Sequence, residues 1–315
     1  MSESRGKGRH CWGIIYLPMI GALKPMKRWN MIREYLDEKG VAYDFFCADT
    51  ANSVECQALK YANDGCNTVV VIGGDGALQD ALNGLMASYR AAEVALGIIP
   101  NGIANDYSTY WGLSFHDYRS AVDNIIAGRV RKVDVGSCCY YVDGVEVRRY
   151  FLNVLNVGMS AEIVALANKK STIFAKMVYR VRAFLYLLFS RQNFKMKFRL
   201  NNQLVEKKFM ILCIGNSTGY GMTPSAVPYN GWLDVSAMRM SPFFGLFKGL
   251  VMVLRRRILN FELVEPYRTT EIEIESVGGA RLGIDGRPFA PTFPLQVTVE
   301  PERLNLIIPT KIKNR

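Results

Sequence analysis

VVVIGGDGALQDALNGL, residues 69–85, decides the architecture of this chain. Val69, Val70, Val71 and Ile72 form a β-branched run with no polar alternation. Such a run reads as a central parallel strand, buried on both faces. Leu78, Leu82 and Leu85 then recur at i, i+4 and i+7, so a helix begins near Gly76. Between the two, Gly73, Gly74 and Gly76 leave the backbone bare. A strand, glycine turn and helix in that order aim amide N–H groups and the positive helix end at one sheet edge, which suits a phosphate. Asp75 would repel a bare phosphate. Its presence implies a bridging cation or an acceptor hydroxyl to polarise.

The flanking sequence repeats the same alternation. A first strand, CWGIIYLP, precedes PMKRWNMIREYLDEKG, where Pro25 suits a first helical turn and Gly40 a helix end. Trp29, Ile32 and Leu36 share one face of that helix. VAYDFF, a helix around VECQALKYANDG, the strand ALGIIP and the helix DYRSAVDNIIAG complete the series. Strands alternating with helices predict an α/β domain with a doubly wound parallel sheet.

After Gly136 the period changes to two. KMKFRL places Met196, Phe198 and Leu200 on one face and Lys195, Lys197 and Arg199 on the other. TTEIEIES alternates Ile272 and Ile274 with glutamates, and LQVTV alternates Leu295, Val297 and Val299 with polar residues. NNQ, residues 201–203, sits between two such runs as a hairpin turn. The second half is therefore mainly antiparallel β. The expected division is a flexible tail at 1–10, an α/β domain at 11–134 and a β-rich domain at 135–315. Two helical stretches interrupt the β half, at 165–192 and 241–261, and both mix Phe, Leu and Met with Lys and Arg. They read either as core with a solvated basic face or as a surface that meets acidic lipid headgroups.

The net charge of +11, with pI near 9.3, predicts attraction to something anionic. No aromatic-basic strand motif points to nucleic acid. Seven cysteines without a CxxC pair read as buried free thiols of a reducing compartment. The basic and apolar start imitates a secretory signal, but Pro18 interrupts it and no small-residue cleavage site follows. With two histidines, His10 and His116, the chain has little material for a triad or a His-metal centre.

A second polar turn follows the next strand, in LGIIPNGIANDYSTYWGL, residues 96–113. Asn101, Asn105 and Asp106 fall at the same sheet edge as Asp75. GGDG with a helix ending NGL, then LGIIPNGIANDY, resembles the catalytic domain of diacylglycerol kinases and related lipid kinases. GNSTGYGMTPSAVPYNGWLDV (215–235) and LGIDGRPF (282–289) fall where that family carries its later glycine-rich and DG motifs. The resemblance covers nearly the whole chain. It implies an NAD kinase/diacylglycerol kinase-like fold whose second domain is a β-sandwich. It also implies ATP-dependent phosphorylation of a lipid hydroxyl with Mg²⁺, in the cleft between the domains, at the inner, cytoplasmic face of an anionic membrane. Oligomeric state stays open, a homodimer included.

Carried over residue by residue, the resemblance puts nucleotide and phosphate contacts at Gly73, Gly74, Gly76, Ala77, Lys24, Lys27, Arg28, Asn101, Gly102, Asn105 and Asp106. Asp75, Asp285 and Arg287 become the catalytic candidates. A family metal position falls on Asn230, with Asp75 as a second metal holder. The pattern also departs from the family. Asn-Pro is Leu17–Pro18, Ile20 replaces a small residue, and Ala77 and Ile103 replace threonines. The DGE glutamate, the family's proton acceptor, is Arg287. Three readings remain: an active lipid kinase, a nucleotide- or lipid-binding pseudokinase, and a soluble-substrate kinase of the NAD kinase type.

Overall fold

The computed structural model describes residues 2–5, 11–18, 25–102, 105–162, 192–240 and 243–310. The chain forms two units, Met1–Val133 with Glu302–Arg315, and Asp134–Pro301.

The first unit runs β1 (Ser2–Arg5), β2 (Trp12–Tyr16), α1 (Lys27–Glu38), β3 (Tyr43–Cys47), α2 (Ala51–Asn63), β4 (Thr68–Gly73), α3 (Asp75–Met86), β5 (Ala95–Pro100), α4 (Asp106–Tyr110) and α5 (Tyr118–Ala127). Strands β3, β2, β4 and β5 lie parallel in that order. Val69 to Ile72 are fully buried, as an apolar parallel strand should be. Helix α1 buries Trp29, Ile32 and Leu36 together with Tyr35. It starts at Lys27, two residues after Pro25, and ends before Gly40, whose φ of +66° suits glycine. Ser2–Arg5, expected within a free tail, instead pair antiparallel with β3 and form an edge strand. Their polar sequence carries no strand period, so only the open β3 edge accounts for the pairing.

Helix α3 is more buried than one leucine stripe implies. Gln79, Asp80 and Asn83 are buried along with Leu78, Leu82 and Leu85. The helix packs on α2 as well as on the sheet. A Cβ on Gly84 would stand 2.1 Å from the Glu55 carbonyl oxygen, so glycine permits the close helix approach.

The second unit continues with β6 (Val130–Val142), β7 (Val145–Phe151), β8 (Val154–Gly158), β9 (Phe194–Leu200), β10 (Gln203–Phe209), β11 (Ile211–Gly215), β12 (Leu233–Met238), α6 (Phe243–Leu254), β13 (Val264–Thr269), β14 (Glu271–Ser276), β15 (Leu282–Ile284), β16 (Arg287–Phe289) and β17 (Leu295–Ile307). One layer contains β17, β14, β9 and β10; the other is antiparallel in the order β13-β12-β11-β8-β15-β16. Met196, Phe198, Leu200, Ile272, Ile274, Leu295 and Val297 meet Leu155, Val157, Leu212, Ile214, Leu233 and Val235 in one core. The expected alternation is realised: on the outer face Lys195 pairs with Glu206, and Lys197 and Arg199 with Glu275. Asn201 and Asn202 form the hairpin turn, both with positive φ.

The β half does not keep its last strand to itself. Leu295–Val297 pair with β14, whereas Asn305 and Leu306 pair parallel with Ala95 and Leu96 of β5. Residues from 302 onward therefore belong to the first unit, which corrects the expected 135–315 domain. Of the two basic-apolar stretches, 241–261 contains α6; the other falls almost wholly at 163–191, outside the described residues. No helix among the described residues is long and apolar enough to cross a membrane. All seven cysteines are free, and burial pushes the Cys66 and Cys213 thiols up to about 12.

Candidate functional site

In the first unit the chain passes from β2 to β3 on one side and from β4 to β5 on the other. The order therefore reverses between β2 and β4, and ligands of doubly wound sheets bind at the carboxyl ends beside such a reversal. Backbone and side-chain bonds stitch those ends together. Leu17 N donates to Ile72 O at 3.0 Å, Asn101 N to Gly73 O at 2.8 Å, and Asn101 Nδ2 to Leu17 O at 3.4 Å.

The GGDG turn sits at this reversal. Gly74 is the N-cap of α3 in extended conformation and provides no side chain there. Gly73 is required by packing, because a Cβ on it would stand 2.6 Å from the Ala77 Cβ. Ala77, a threonine in the family pattern, is buried.

Asp75 is buried too, at 3% exposure, and its carboxylate is engaged. Oδ2 accepts from Asp106 N at 2.9 Å and Oδ1 from Tyr107 N at 3.2 Å. These are the first amides of α4, so Asp75 caps the second polar turn and fastens it to the first. Asn105 closes that turn reciprocally with Gly102, its Oδ1 accepting from Gly102 N at 3.0 Å and its Nδ2 donating to Gly102 O at 2.6 Å. The structure thus brings Gly73, Gly74, Asp75, Asn101, Gly102, Asn105 and Asp106 to one edge.

The basic candidates divide. Lys27 is exposed at the start of α1, and Lys24 lies outside the described residues. Arg28 turns inward: Nη2 donates to Phe115 O, and its guanidinium lies 4.7 Å from the Phe115 ring and 5.0 Å from the Tyr118 ring. Burial lowers its basicity, and its Nε has no hydrogen-bond partner among the described residues.

In the second unit, LGIDGRPF is a two-residue hairpin. Leu282 pairs with Phe289 and Ile284 with Arg287, while Asp285 and Gly286 form the turn with φ of +45° and +85°. Asp-Gly is a favoured pair for such a turn. The Asp285 side chain is 1% exposed and saturated by backbone. Oδ1 accepts from Val154 N at 2.7 Å and Asn153 N at 3.0 Å; Oδ2 accepts from Leu152 N at 2.7 Å. Arg287 opens β16, half-buried, directly after this fixed point.

The GNSTGYG stretch packs against the same segment. Asn216 Nδ2 donates to Asp134 O and Leu152 O, both at 2.9 Å, and Asn153 Oδ1 accepts from Gly219 N at 2.9 Å. Gly219, Tyr220 and Gly221 all have positive φ, and a Cβ on Gly219 would stand 2.4 Å from Thr223 Oγ1. Asn153, Asn216 and Asp134 were not singled out from the sequence. Buried asparagines within apolar runs were the available signal.

Asn230 is exposed, and its Oδ1 accepts from Trp232 N at 3.0 Å, while Asp134 Oδ2 accepts from the adjacent Gly231 N at 2.7 Å. Among the described residues no three His, Cys, Asp or Glu side chains gather as a metal cage. Mg²⁺ at nucleotide sites is held by one or two carboxylates plus phosphates and water, so it does not call for such a cage.

The diacylglycerol kinase catalytic domain matches residues 12–138, and the YegS C-terminal NAD kinase beta sandwich-like domain matches residues 153–308. A diacylglycerol kinase of Bacillus subtilis (strain 168) is 21% identical over 278 residues, 87% of this chain and 88% of that protein. The crystal structure of a diacylglycerol kinase from Bacillus anthracis str. Sterne has a TM-score of 0.67 at 16% identity, covering 96% of this chain and 98% of that one. Yeast NADH kinase complexed with NADH has a TM-score of 0.54 at 9% identity, covering 96% and 85%. The structural likenesses establish the fold, and the two sequence domains together span both units. The chain belongs to the diacylglycerol kinase catalytic-domain family, with the NAD kinase-like β-sandwich as its second part.

Proposed function

We propose that this chain transfers the γ-phosphate of ATP to a lipid hydroxyl. The observation that supports the reading most is the tie between Asp75 and the first amides of α4, which holds two polar turns as one rigid edge at the strand-order reversal. In this reading Gly73, Gly74 and Gly76 would hold the nucleotide phosphates, and a Mg²⁺ bound with them near Asp75 would supply charge neutralisation. Asp75 acts chiefly as a positioning residue, because its oxygens already hold backbone.

The missing DGE glutamate bears on the acceptor. Asp285 is occupied by three amides, so it does not replace that base. Phosphoryl transfer depends mostly on positioning and charge neutralisation, which leaves a role for a cation. Arg287, held by the hairpin, is the candidate to neutralise the phosphoryl group in transit. The test is labelled ATP with Mg²⁺ and vesicles carrying diacylglycerol, sphingoid base or ceramide. Labelled lipid is expected, with turnover reduced about 1000-fold in Arg287→Gln, the low end for an arginine acting on phosphate. Nucleotide binding without labelled lipid favours the pseudokinase. Turnover on a soluble acceptor without vesicles favours the NAD kinase-type reading.

A further inference from the structure

Helix α6, FFGLFKGLVMVL, contains one charged residue among twelve and is followed at once by Arg255, Arg256 and Arg257. Its inner face is accounted for. Gly249 approaches Phe261 and Met238, at 3.4 and 3.5 Å from where its Cβ would be, and Met252 and Val253 pack on the methionine-rich cluster around Met210, Met222 and Met238. Among the described side chains, Phe247 is 67% exposed, Lys248 next to it in sequence is exposed, and so are the three arginines at the helix end. None of these four cations has an ion-pair partner among the described residues.

The end of the helix adds an independent observation. Arg256 N donates to Val253 O and Arg257 N to Met252 O, the bonding of a helix that closes through a left-handed residue. That residue is Arg256, with φ of +55°. Glycine is the usual occupant, since a side chain in this conformation is strained. The chain keeps a cation at a position where local geometry favours none.

We infer that α6 and the arginine triplet form a docking surface for an anionic bilayer, with Phe247 entering the acyl boundary and Arg255, Arg256 and Arg257 meeting lipid headgroups. An exposed aromatic on a helix of low charge that ends in clustered cations is the chemistry of interfacial binding, and the net charge of +11 is complementary to such a surface. The inference deepens the lipid-kinase reading by naming its partner, yet it is tested by binding and not by turnover. A nucleic acid or other soluble polyanion would use the cations and ignore Phe247.

The test is sedimentation of the full chain with phosphatidylcholine vesicles, with and without one-third phosphatidylglycerol. Preferential binding to the anionic vesicles is expected. A basic residue near such a surface contributes about fivefold, so the triple Arg→Gln variant should lose on the order of 100-fold. Phe247→Glu should weaken binding to the same vesicles, and Arg256→Gly should weaken it about fivefold while melting no lower than the parent protein. That last combination separates a docking role from a folding role. Equal binding to neutral and anionic vesicles overturns the inference, as does unchanged binding by the triple variant. So does displacement by heparin with Phe247→Glu indistinguishable from the parent. If the variants lose binding but no labelled lipid forms, the kinase reading fails and the docking surface stands.

Discussion

Asp75 and Asp285 were both legible as the chemically unusual residues of their motifs, but not as side chains already committed to backbone. Each sits in a glycine-rich turn, where a sequence reader looks for a base or a metal holder. What the sequence hides is the partner: Asp75 binds amides 31 and 32 residues away, and Asp285 binds amides more than 130 residues away. The Asp285–Gly286 pair did carry a turn signal, since Asp-Gly between apolar strands marks a tight hairpin. This changes which substitutions inform on chemistry. In Asp285→Asn one acceptor oxygen becomes an amide that faces backbone N–H donors, and the charge leaves the site. A loss of about 2–3 kcal/mol of folding stability is expected from leaving buried donors unsatisfied, read as a shift of the urea midpoint. Asp75→Asn should cost about 1–2 kcal/mol by the same mechanism. Arg287→Gln, half-buried beside the turn, should move the midpoint far less while acting on turnover. If Asp285→Asn melts like the parent, the hairpin is not anchored through that carboxylate.

At the scale of elements, type and order were readable and depth of burial was not. The period-two pattern correctly placed Met196, Phe198 and Leu200, then Ile272 and Ile274, in the sandwich core, because in a two-layer sheet packing alternation and burial are the same information. Helix α3 shows where that equivalence ends. Gln79, Asp80 and Asn83 look like a solvated face, yet they are buried, and Asn83 Nδ2 donates to Gln79 O at 2.8 Å within the helix. No local pattern announces that α2 packs closely on this helix. Gly84 is the residue that permits it. In an exposed helix, Gly→Ala stabilises by roughly 0.5–1 kcal/mol. Here the added methyl would stand 2.1 Å from the Glu55 carbonyl, so the sign reverses. Gly84→Ala is expected to cost about 1–3 kcal/mol, as overpacking does, measured by chemical denaturation. A stabilised Gly84→Ala protein would mean that α2 and α3 do not approach this closely.

At the scale of the whole molecule, the α/β-then-β order was legible, and the return of the chain was not. A strand such as β17 has one uninterrupted pattern from Leu295 to Ile307, and nothing in that pattern says its two halves serve different units. The pairing does. Leu304 and Leu306 are fully buried, Ile307 and Ile308 nearly so, and this last stretch is tied to the first unit by Ile308 N to Arg129 O at 2.9 Å and Asn305 Nδ2 to Ala92 O at 2.8 Å. Ending the chain at Pro301 would remove four buried apolar side chains, each contributing about 1.5–3 kcal/mol. It would also open the free edge of β5, the strand that leads into Asn101 and Asn105. The sum rivals the 5–15 kcal/mol that holds a typical domain together. The truncated protein is therefore expected to lose the first unit, read as protease cuts between residues 25 and 133. Fragments spanning 134–301 should persist longer, because β14 still pairs with the retained half of β17. Protease resistance equal to that of the full chain would overturn this account and return residues 302–310 to the β half. Adding a peptide of residues 302–310 offers the converse measurement. Restored protection of the first unit would show that the final strand completes the same sheet that presents the Asp75 edge.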